Sequence, residues 1–529
     1  MDNNKSNGFN LFLLLAAGIC IGLFVNKTAG HLIQEKPDAV FSKFDEVMWY
    51  VQQHYVDTVD SQQLEDQAVA AMIEELDPHS MYVSQEEFNA VNDPLLGSFE
   101  GIGVQFRIEN DTIAIVNVIK GGPSEKAGIL AGDRFVNVED SLVAGKKLNN
   151  EDVMRMLKGP KGTKVKVGVY RRGVDGLMDY TITRDVIPTY SVDIAYMLDK
   201  EIGYIKLSKF SATTYDEFKR SIRKLESQGM KKLVFDLRGN TGGYLNAAVD
   251  VAEEFLPRGS MIVYTEGRNR PRKEMKASRR GSLENIPVAV LIDSESASAS
   301  EIVAGALQDN DRGTIIGRRS FGKGLVQEQI MLDDNSAIRL TVARYYTPTG
   351  RCIQKPFDGD REKYLFESYE RYENGELFSE DSIHFADSLK YTTPKGKIVY
   401  GGGGIMPDIY VPLVNDSTKY YFNRIVNLGL LYQYAFDYTD RHRKELGHYK
   451  TVEAFNKSFI VTDNMFKELV KQADAKGIKG SEAQKQAARK EANILLKAYI
   501  ARNLFDEEGF YPIYAPMDEM LQKAMEVLH

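Results

Sequence analysis

The pattern of apolar and polar positions divides the chain into four successive stretches. Apolar residues recur at helical spacing over about 39–91, which predicts amphipathic helices. Short alternating runs separated by glycines follow over about 96–184 and predict strands. From Ile187 to about Lys355, apolar strand patterns alternate with helix patterns, as in an α/β domain. From about Thr418 to His529 the pattern is mainly helical again, so the chain is predicted to be multidomain.

An apolar segment, Phe9–Val25, precedes these stretches and is flanked by Lys5 and Lys27. Its length is at the lower limit for a bilayer-spanning helix. A cleaved signal peptide would end in a small-x-small site, and Lys27 and Ala29 match one poorly. The segment therefore favours an uncleaved anchor over residues 9–26; a signal peptide and a buried core helix remain as alternatives.

Composition narrows the chemistry of the chain. The net charge of −8 gives no nucleic-acid footprint, and the basic run at 268–280 is interpreted as a solvated loop. With cysteine only at Cys20 and Cys352, neither a disulfide framework nor a His/Cys metal cluster is expected. No histidine lies between residues 80 and 383, so a Ser-His-Asp triad in the strand-rich middle would need a distant histidine.

Two segments carry candidate catalytic groups. Ser294–Glu301 is rich in serine and lies between an apolar strand pattern, Val288–Ile292, and an apolar helix pattern. A serine at such a turn is exposed beside backbone amides that can hold an oxyanion. Lys323 follows in a glycine-flanked loop, and a lysine kept neutral by burial can accept a serine proton. Together they predict a serine nucleophile with a lysine base.

The lysine loop has two other interpretations. Gly317, Gly322 and Lys323 fit a phosphate-binding loop, but Gly324 stands where the motif requires serine or threonine. The following residues, 325–332, also look like a strand rather than a helix. A nucleotide site is therefore disfavoured, while a plain structural turn stays open from the residues alone.

The glycine-separated strands resemble a PDZ domain of the kind found in bacterial processing proteases. The matching segments are Gly101–Phe106, Gly122–Gly128 and Ala131–Arg134. Glycines allow successive backbone amides to cradle a carboxylate while the strand edge pairs with an extended peptide; otherwise they only make a tight turn. The residues expected to contact a substrate carboxylate are Gly101, Ile102, Gly103 and Val104.

A wider set of motifs resembles the C-terminal processing peptidases, or tail-specific proteases, of peptidase family S41 (subfamily A). The resemblance spans about Val40 to Asp408, in matching order and spacing. The motifs are Leu76–Ser80, Asp236–Gly243, Val290–Ile302, Ala304–Asp309 and Phe321–Gln327.

The resemblance implies roles for individual residues. It makes Ser298 the nucleophile, Lys323 the general base and Gln327 the residue that positions the lysine. Lys323 and Gln327 would share one side of the strand predicted at 325–332, since side chains alternate. The expected oxyanion donors are the backbone amides of Ala299 and of Gly242 or Gly243. Other nearby polar residues are interpreted as structural: Asp236, Arg238, Asp293, Ser296, Ser300 and Glu301.

The predicted architecture is multidomain α+β, with an α/β Ser-Lys protease core, an inserted PDZ domain, an N-terminal transmembrane anchor and helical N- and C-terminal regions. The expected segments are a tail (1–8), the anchor (9–26), a helical region (37–92), the PDZ domain (96–185), the protease core (186–356, with 37–92), core completion and loop (357–415) and a helical extension (416–529).

The predicted function is a serine endopeptidase that cleaves proteins near their C-termini, with the PDZ domain recognising the substrate C-terminus and gating activity. The expected partners are proteins or peptides with free C-termini; a homo-oligomer or an adaptor protein is also allowed. No cofactor, metal or nucleic acid is expected. The location would be the bacterial cell envelope, anchored in the inner membrane through residues 9–26 and facing the periplasm or exterior. The alternative is a catalytically silent PDZ scaffold at the membrane.

Overall fold

The computed structural model describes residues 43–279, 281–414 and 416–529. The chain divides into a first unit that ends at Met72 and a second, Ile73–His529. Helices α1 (Lys43–His54) and α2 (Ser61–Glu74) lie within the predicted N-terminal helical region. The predicted anchor lies outside the described residues, and no helix in the described ranges is long and apolar enough to cross a membrane.

The glycine-separated stretch forms an antiparallel sheet in the order β3-β4-β5-β7-β8, with β6 on β5; a separate ladder pairs β2 with β9. Strand β3 is at the edge of its sheet. The predicted helix at 150–157 is confirmed, and a capping box between Asn149 and Asp152 begins it. The elements are β1 (Met81–Val83), α3 (Phe88–Leu96), β2 (Ser98–Gly101), β3 (Val104–Glu109), β4 (Thr112–Val118), α4 (Pro123–Ala127), β5 (Arg134–Val138), β6 (Ser141–Leu142), α5 (Asn150–Leu157), β7 (Lys164–Tyr170), β8 (Met178–Thr183) and β9 (Asp185–Pro188).

The α/β stretch forms a six-stranded sheet in the order β10-β11-β12-β15-β16-β21, parallel except at β10. Its successive parallel strands are neighbours, so right-handed crossovers place the connecting helices on one face. The elements are β10 (Val192–Met197), β11 (Ile202–Leu207), α6 (Thr214–Ser227), β12 (Lys232–Asp236), α7 (Leu245–Glu253), β15 (Val288–Ile292), α8 (Ala299–Asp309), β16 (Thr314–Gly317) and β21 (Ile409–Tyr410).

A second sheet, antiparallel, has the order β1-β18-β13-β14, with β17 on β18. The interpretation of 268–280 as a loop is wrong, because residues 270–276 form β14, paired with β13. The charged side chains find partners across the strands; for example, the Arg272 guanidinium lies 3.7 Å from the Tyr264 ring centroid. The elements are β13 (Met261–Gly267), β14 (Arg270–Lys276), β17 (Leu325–Met331) and β18 (Ala337–Tyr346).

The remaining elements lie beyond Phe357, and those from Tyr420 to Leu528 are helices, in line with the mainly helical pattern predicted for about 418–529. Helices of the C-terminal part bury their own apolar core, and the last helix covers the second face of the six-stranded sheet. The elements are α9 (Arg361–Leu365), α10 (Glu367–Glu373), β19 (Lys390–Thr392), β20 (Ile398–Tyr400), α11 (Tyr420–Asn427), α12 (Leu430–Arg441), α13 (Arg443–Leu446), α14 (Val452–Ser458), α15 (Asp463–Ala475), α16 (Glu482–Tyr514) and α17 (Glu519–Leu528).

Candidate active site

Three loops meet at one edge of the six-stranded sheet. They follow β12, β15 and β16, which are adjacent parallel strands, and they cover residues 237–244, 293–298 and 318–324. The carboxyl ends of neighbouring parallel strands share an edge, where α/β sheets place their sites. The serine run, the glycine loop and the lysine loop are therefore brought together by topology.

Ser298 occupies the turn between β15 and α8 with a backbone that few side-chain-bearing residues adopt. Its φ is 56° and its ψ is −112°. It is half-buried, between the buried Ala297 and Ala299. The Tyr345 hydroxyl donates to the Ser298 carbonyl at 3.1 Å. Such a conformation persists only where surrounding contacts hold it, and such residues cluster at functional sites.

Backbone amides near Ser298 differ in whether they are free. The N–H groups of Ala299 and Gly243 have no hydrogen-bond partner within the described residues. The Gly242 N–H instead donates to Asn240 Oδ1 at 2.9 Å, so it is not free to act as an oxyanion donor. Gly242 still needs to be glycine, because a Cβ there would lie 2.8 Å from Ser298 Cβ. Of the two predicted alternatives, the free donor is Gly243.

Lys323 and Gln327 are joined directly. Lys323 Nζ donates to Gln327 Oε1 at 3.0 Å, and the Gln327 amide donates to the His79 carbonyl. Simple alternation along one strand does not explain this contact. Lys323 precedes β17, and the pairing register shifts between Val326 and Gln327.

The amine of Lys323 is in an environment that favours its neutral form. Burial lowers its pKa; the carboxylates of Asp77 and Glu301 oppose that shift, and Arg339 adds to it. Among the described residues, no hydrogen bond joins Lys323 Nζ to Ser298 Oγ. The amine is thus held by Gln327 in this arrangement.

Glu301 links the nucleophile and base segments. Its side chain is fully buried. One carboxylate oxygen accepts the backbone N–H of Ser298 at 2.7 Å and that of Lys323 at 2.9 Å. The other accepts the Gly322 N–H at 2.7 Å and the Ser320 hydroxyl at 2.5 Å. Burial raises its pKa to about 7 although these four donors favour the carboxylate. Its structural role was predicted, but its position between the two catalytic candidates was not.

His79 reaches the site, although sequence reasoning gave it no role there. Asp77 fixes the turn by accepting the N–H groups of His79 and Ser80, each at 2.8 Å. The His79 ring Nε2 lies 2.9 Å from the Tyr364 hydroxyl. Burial lowers the pKa of His79 to about 4, helped by the positive charge of Lys323. The ring is therefore neutral at neutral pH, and its carbonyl, not its imidazole, faces Gln327. The available sequence signal was the motif at 76–80.

Other polar residues hold the loops, as interpreted from sequence. Asp236 is fully buried; it accepts the Arg238 N–H at 2.9 Å and binds the Arg238 guanidinium at 2.6 Å. Asp293 accepts the Gly239 N–H at 3.0 Å. The hydroxyls of Ser296 and Ser300 donate to the carbonyls of Leu237 at 2.9 Å and Asn240 at 2.8 Å. These two serines are structural, whereas Ser298 lies at the turn next to the free N–H of Ala299 and stays the candidate nucleophile.

The predicted carboxylate loop lies beside the open edge of β3, which Val104 begins. The N–H groups of Ile102 and Gly103 have no partner within the described part of the chain. The Ile102 carbonyl accepts the Ser124 hydroxyl at 2.7 Å and the Ser124 N–H at 3.1 Å. Gly103 has a φ of 75°. Gly101 ends β2 and pairs with Asp185, so it anchors the loop.

Three family models match parts of the chain. The profile of peptidase family S41 matches residues 201–362, and that of the PDZ domain matches residues 101–181. Residues 421–506 match a family of unknown function, DUF8443.

Individual proteins resemble a large part of the chain. The carboxy-terminal-processing protease of Bartonella bacilliformis is 40% identical over 318 residues, covering 59% of this chain and 72% of that protein. The carboxy-terminal processing protease CtpA of Bacillus subtilis is 36% identical over 351 residues, covering 66% and 74%. Among solved structures, a photosystem II D1 C-terminal processing protease is 26% identical over 70% of this chain and 87% of its own, with a TM-score of 0.37. The predicted family is confirmed: the chain belongs to the carboxy-terminal processing serine proteases of peptidase family S41 and carries a PDZ domain.

Proposed function

We propose that Ser298 and Lys323 cleave peptide bonds near protein C-termini through an acyl-enzyme. The observation that carries this assignment is the single buried carboxylate oxygen of Glu301, which accepts the backbone N–H groups of both Ser298 and Lys323. It holds the candidate nucleophile and the candidate base as neighbours. Gln327 orients the amine, and closure of the site around substrate brings Nζ within hydrogen-bond reach of the serine.

The proposed reaction is a sequence of proton transfers between Ser298, Lys323 and the substrate. Neutral Lys323 takes the Ser298 hydroxyl proton as Oγ attacks the substrate carbonyl carbon. The N–H groups of Ala299 and Gly243 stabilise the resulting oxyanion. Collapse of the intermediate breaks the C–N bond, and the Lys323 ammonium returns its proton to the leaving amine. Neutral Lys323 then takes a proton from water as the water oxygen attacks the acyl carbon. Collapse of this second intermediate breaks the C–O bond to Ser298, the Lys323 ammonium returns the proton to Oγ, and the carboxylic acid product leaves.

The PDZ domain supplies recognition and gating in this proposal. The free N–H groups of Ile102 and Gly103 are available for a carboxylate, and the open edge of β3 is available for an extended peptide. Binding gates the enzyme if the closed, desolvated site binds the docked peptide better than the open one. Activity that is unchanged after deletion of residues 96–184 would contradict the gating.

We further propose that the domain limits are those predicted from sequence and that residues 9–26 anchor the enzyme in the cytoplasmic membrane. The catalytic part would face the periplasm or exterior of a bacterial cell. The length and apolar character of the run between Lys5 and Lys27 support a membrane segment. A homo-oligomer or an adaptor protein completes the proposed partners.

The recognition step predicts a preference for free C-termini. One unstructured peptide is prepared with a C-terminal carboxylate and with a C-terminal amide, and the products are mapped by mass spectrometry. We expect kcat/KM to be about tenfold higher or more for the carboxylate form, because the amide lacks the charge that the loop receives. Equal cleavage of both forms would reject C-terminal recognition but not the protease assignment.

A pair of glycine substitutions provides the matched control. Gly103→Ala strains a positive-φ residue in the carboxylate loop and should abolish the preference. Gly145→Ala imposes similar strain at a φ of 75°, where nothing lies within 4 Å of the added Cβ. It should leave the preference intact. Loss of the preference in both variants would assign it to domain stability instead.

A further inference from the structure

The C-terminal helices complete the protease core. With the connecting helices all on one face of the six-stranded sheet, the opposite apolar face needs another cover. Helix α17 provides it, packing Met520, Leu521 and Ala524 into one cluster with Val234 and Leu291 of the sheet. The C-terminal extension therefore reaches the strands that carry the candidate site.

At this contact Arg238 lies between two carboxylates. Its two terminal nitrogens donate to Asp518 Oδ1 at 2.8 Å and Oδ2 at 2.6 Å, while Nε and one terminal nitrogen bind Asp236. The guanidinium is planar, so two carboxylates fix its orientation as well as its position. The Arg238 side chain is only 17% exposed, which limits replacement of Asp518 by water. Asp518 also caps α17 by accepting the Leu521 N–H at 3.1 Å.

Arg238 is the second residue of the glycine loop, 237–244, which borders the nucleophile. Its carbonyl accepts Lys206 Nζ at 2.9 Å, and its N–H is held by Asp236. Four residues later, Gly242 lies against Ser298, and the next N–H, that of Gly243, is free. Phe210 holds the far end of the loop, because its N–H donates to the Gly242 carbonyl at 2.9 Å and its carbonyl accepts the Tyr244 N–H at 2.8 Å. Asp236 and Lys206 hold the near end at Arg238.

We propose that Asp518 is a positioning residue for the oxyanion loop, acting through its two-pronged ion pair with Arg238. The inference rests on the proposed function, and it makes the C-terminal extension part of the catalytic apparatus. Asp518 touches no reacting atom. It fixes Arg238, and Arg238 fixes the loop that presents the Gly243 N–H to the developing oxyanion.

The test uses the full chain and the free-carboxylate peptide. Asp518→Asn removes the charge but keeps a good helix cap, and Asp518→Ser is a second variant that also caps. We expect kcat to fall about tenfold or more while KM changes less than about twofold, because an oxyanion donor acts in the transition state. Rates are normalised to the folded fraction, taken from thermal unfolding.

A double-mutant cycle with Arg238→Met tests whether Asp518 affects kcat through Arg238. If Asp518 acts through Arg238, adding Asp518→Asn to Arg238→Met should cost less than twofold further in kcat. Glu491→Gln is the matched control, because it breaks the 2.9 Å ion pair of Glu491 with Lys419 within the same helical region. It should leave kcat unchanged.

Each outcome decides a different claim. Unchanged kcat in both Asp518 variants overturns the inference. So does a double variant whose loss of kcat equals the product of the losses in Asp518→Asn and Arg238→Met, because the two residues would then act independently. A loss of kcat in Glu491→Gln equal to that of Asp518→Asn assigns the effect to the extension as a whole and also overturns it. Failure of the proposed function has a separate signature, namely wild-type cleavage that survives Ser298→Ala.

Discussion

Replacing Lys323 by methionine should lower kcat/KM by about 10³-fold or more, since a general base that starts a serine attack contributes a factor of this order. Methionine keeps an unbranched apolar chain in the half-buried site but cannot accept a proton. Ser298→Ala should cost at least as much, and the double variant should be little worse than either single variant, because the two groups act as a unit.

The pH dependence of kcat/KM in the wild-type enzyme should also show that Lys323 is the general base. The neutral amine is the active form, so kcat/KM should rise with pH through the pKa of Lys323, which burial lowers below the ordinary lysine value. Lys224→Met is the control, because that lysine donates to the Ala195 carbonyl at 3.0 Å and lies 3.9 Å from the Glu508 carboxylate, away from Ser298 and Lys323. This substitution should leave both rate and profile unchanged. A Lys323→Met enzyme within tenfold of wild type would assign proton transfer to another group.

Local hydrophobic patterns in the sequence predicted much of the secondary structure. A continuous apolar run located β15, which is buried on both faces. Helical periodicity located α5 and α6, which bury one face. Strand β14 was not predicted, because it lacks such a buried face. Its side chains are mostly exposed and charged, and pairing with β13 rather than burial makes it a strand.

The site was predictable where motifs are contiguous and was not where contacts join distant segments. The turn at Ser298 and the loop at Lys323 lie on single motifs. The His79 carbonyl accepts a hydrogen bond from Gln327, and the Asp518 carboxylate accepts hydrogen bonds from Arg238. Both acceptors belong to segments that are distant in sequence from their donors. A backbone acceptor leaves no residue-type signal, and an aspartate that caps a helix looks the same whether or not it also binds an arginine.

Glu301→Gln should destabilise the protein by about 2–6 kcal/mol, because an amide offers one acceptor oxygen where the carboxylate offers two. Each carboxylate oxygen accepts two donors, so in either orientation the amide nitrogen faces two N–H or O–H groups. Each buried donor left without a partner costs about 1–3 kcal/mol. The measurement is urea unfolding at pH 8, together with kcat/KM of the folded fraction, which should also fall.

Glu254→Gln is the matched control. That glutamate is 2% exposed and accepts the Ser282 N–H at 3.0 Å and the Tyr215 hydroxyl at 2.5 Å, with no contact to either candidate catalytic residue. It should lose stability while keeping the kcat/KM of its folded fraction. A parallel loss of activity in both variants would mean that Glu301 acts only through global stability.

The two glutamates should also give opposite pH dependences of stability. Burial raises the pKa of Glu301 to about 7, above the roughly 4.3 of an unfolded glutamate, so the native state holds an extra proton between these values. The wild-type stability from Glu301 is therefore full below about pH 4.3 and is lost as pH rises to about 7, by on the order of 1 kcal/mol per pH unit at the steepest point.

For Glu254, burial acts to raise the pKa, but hydrogen bonds from Ser282 and Tyr215 overcome it and lower the pKa to about 2. Its contribution is lost only as pH falls from about 4.3 towards 2. The stability difference between wild type and Glu301→Gln should thus narrow between pH 4 and 7, whereas a flat difference would mean that Glu301 stays ionised there.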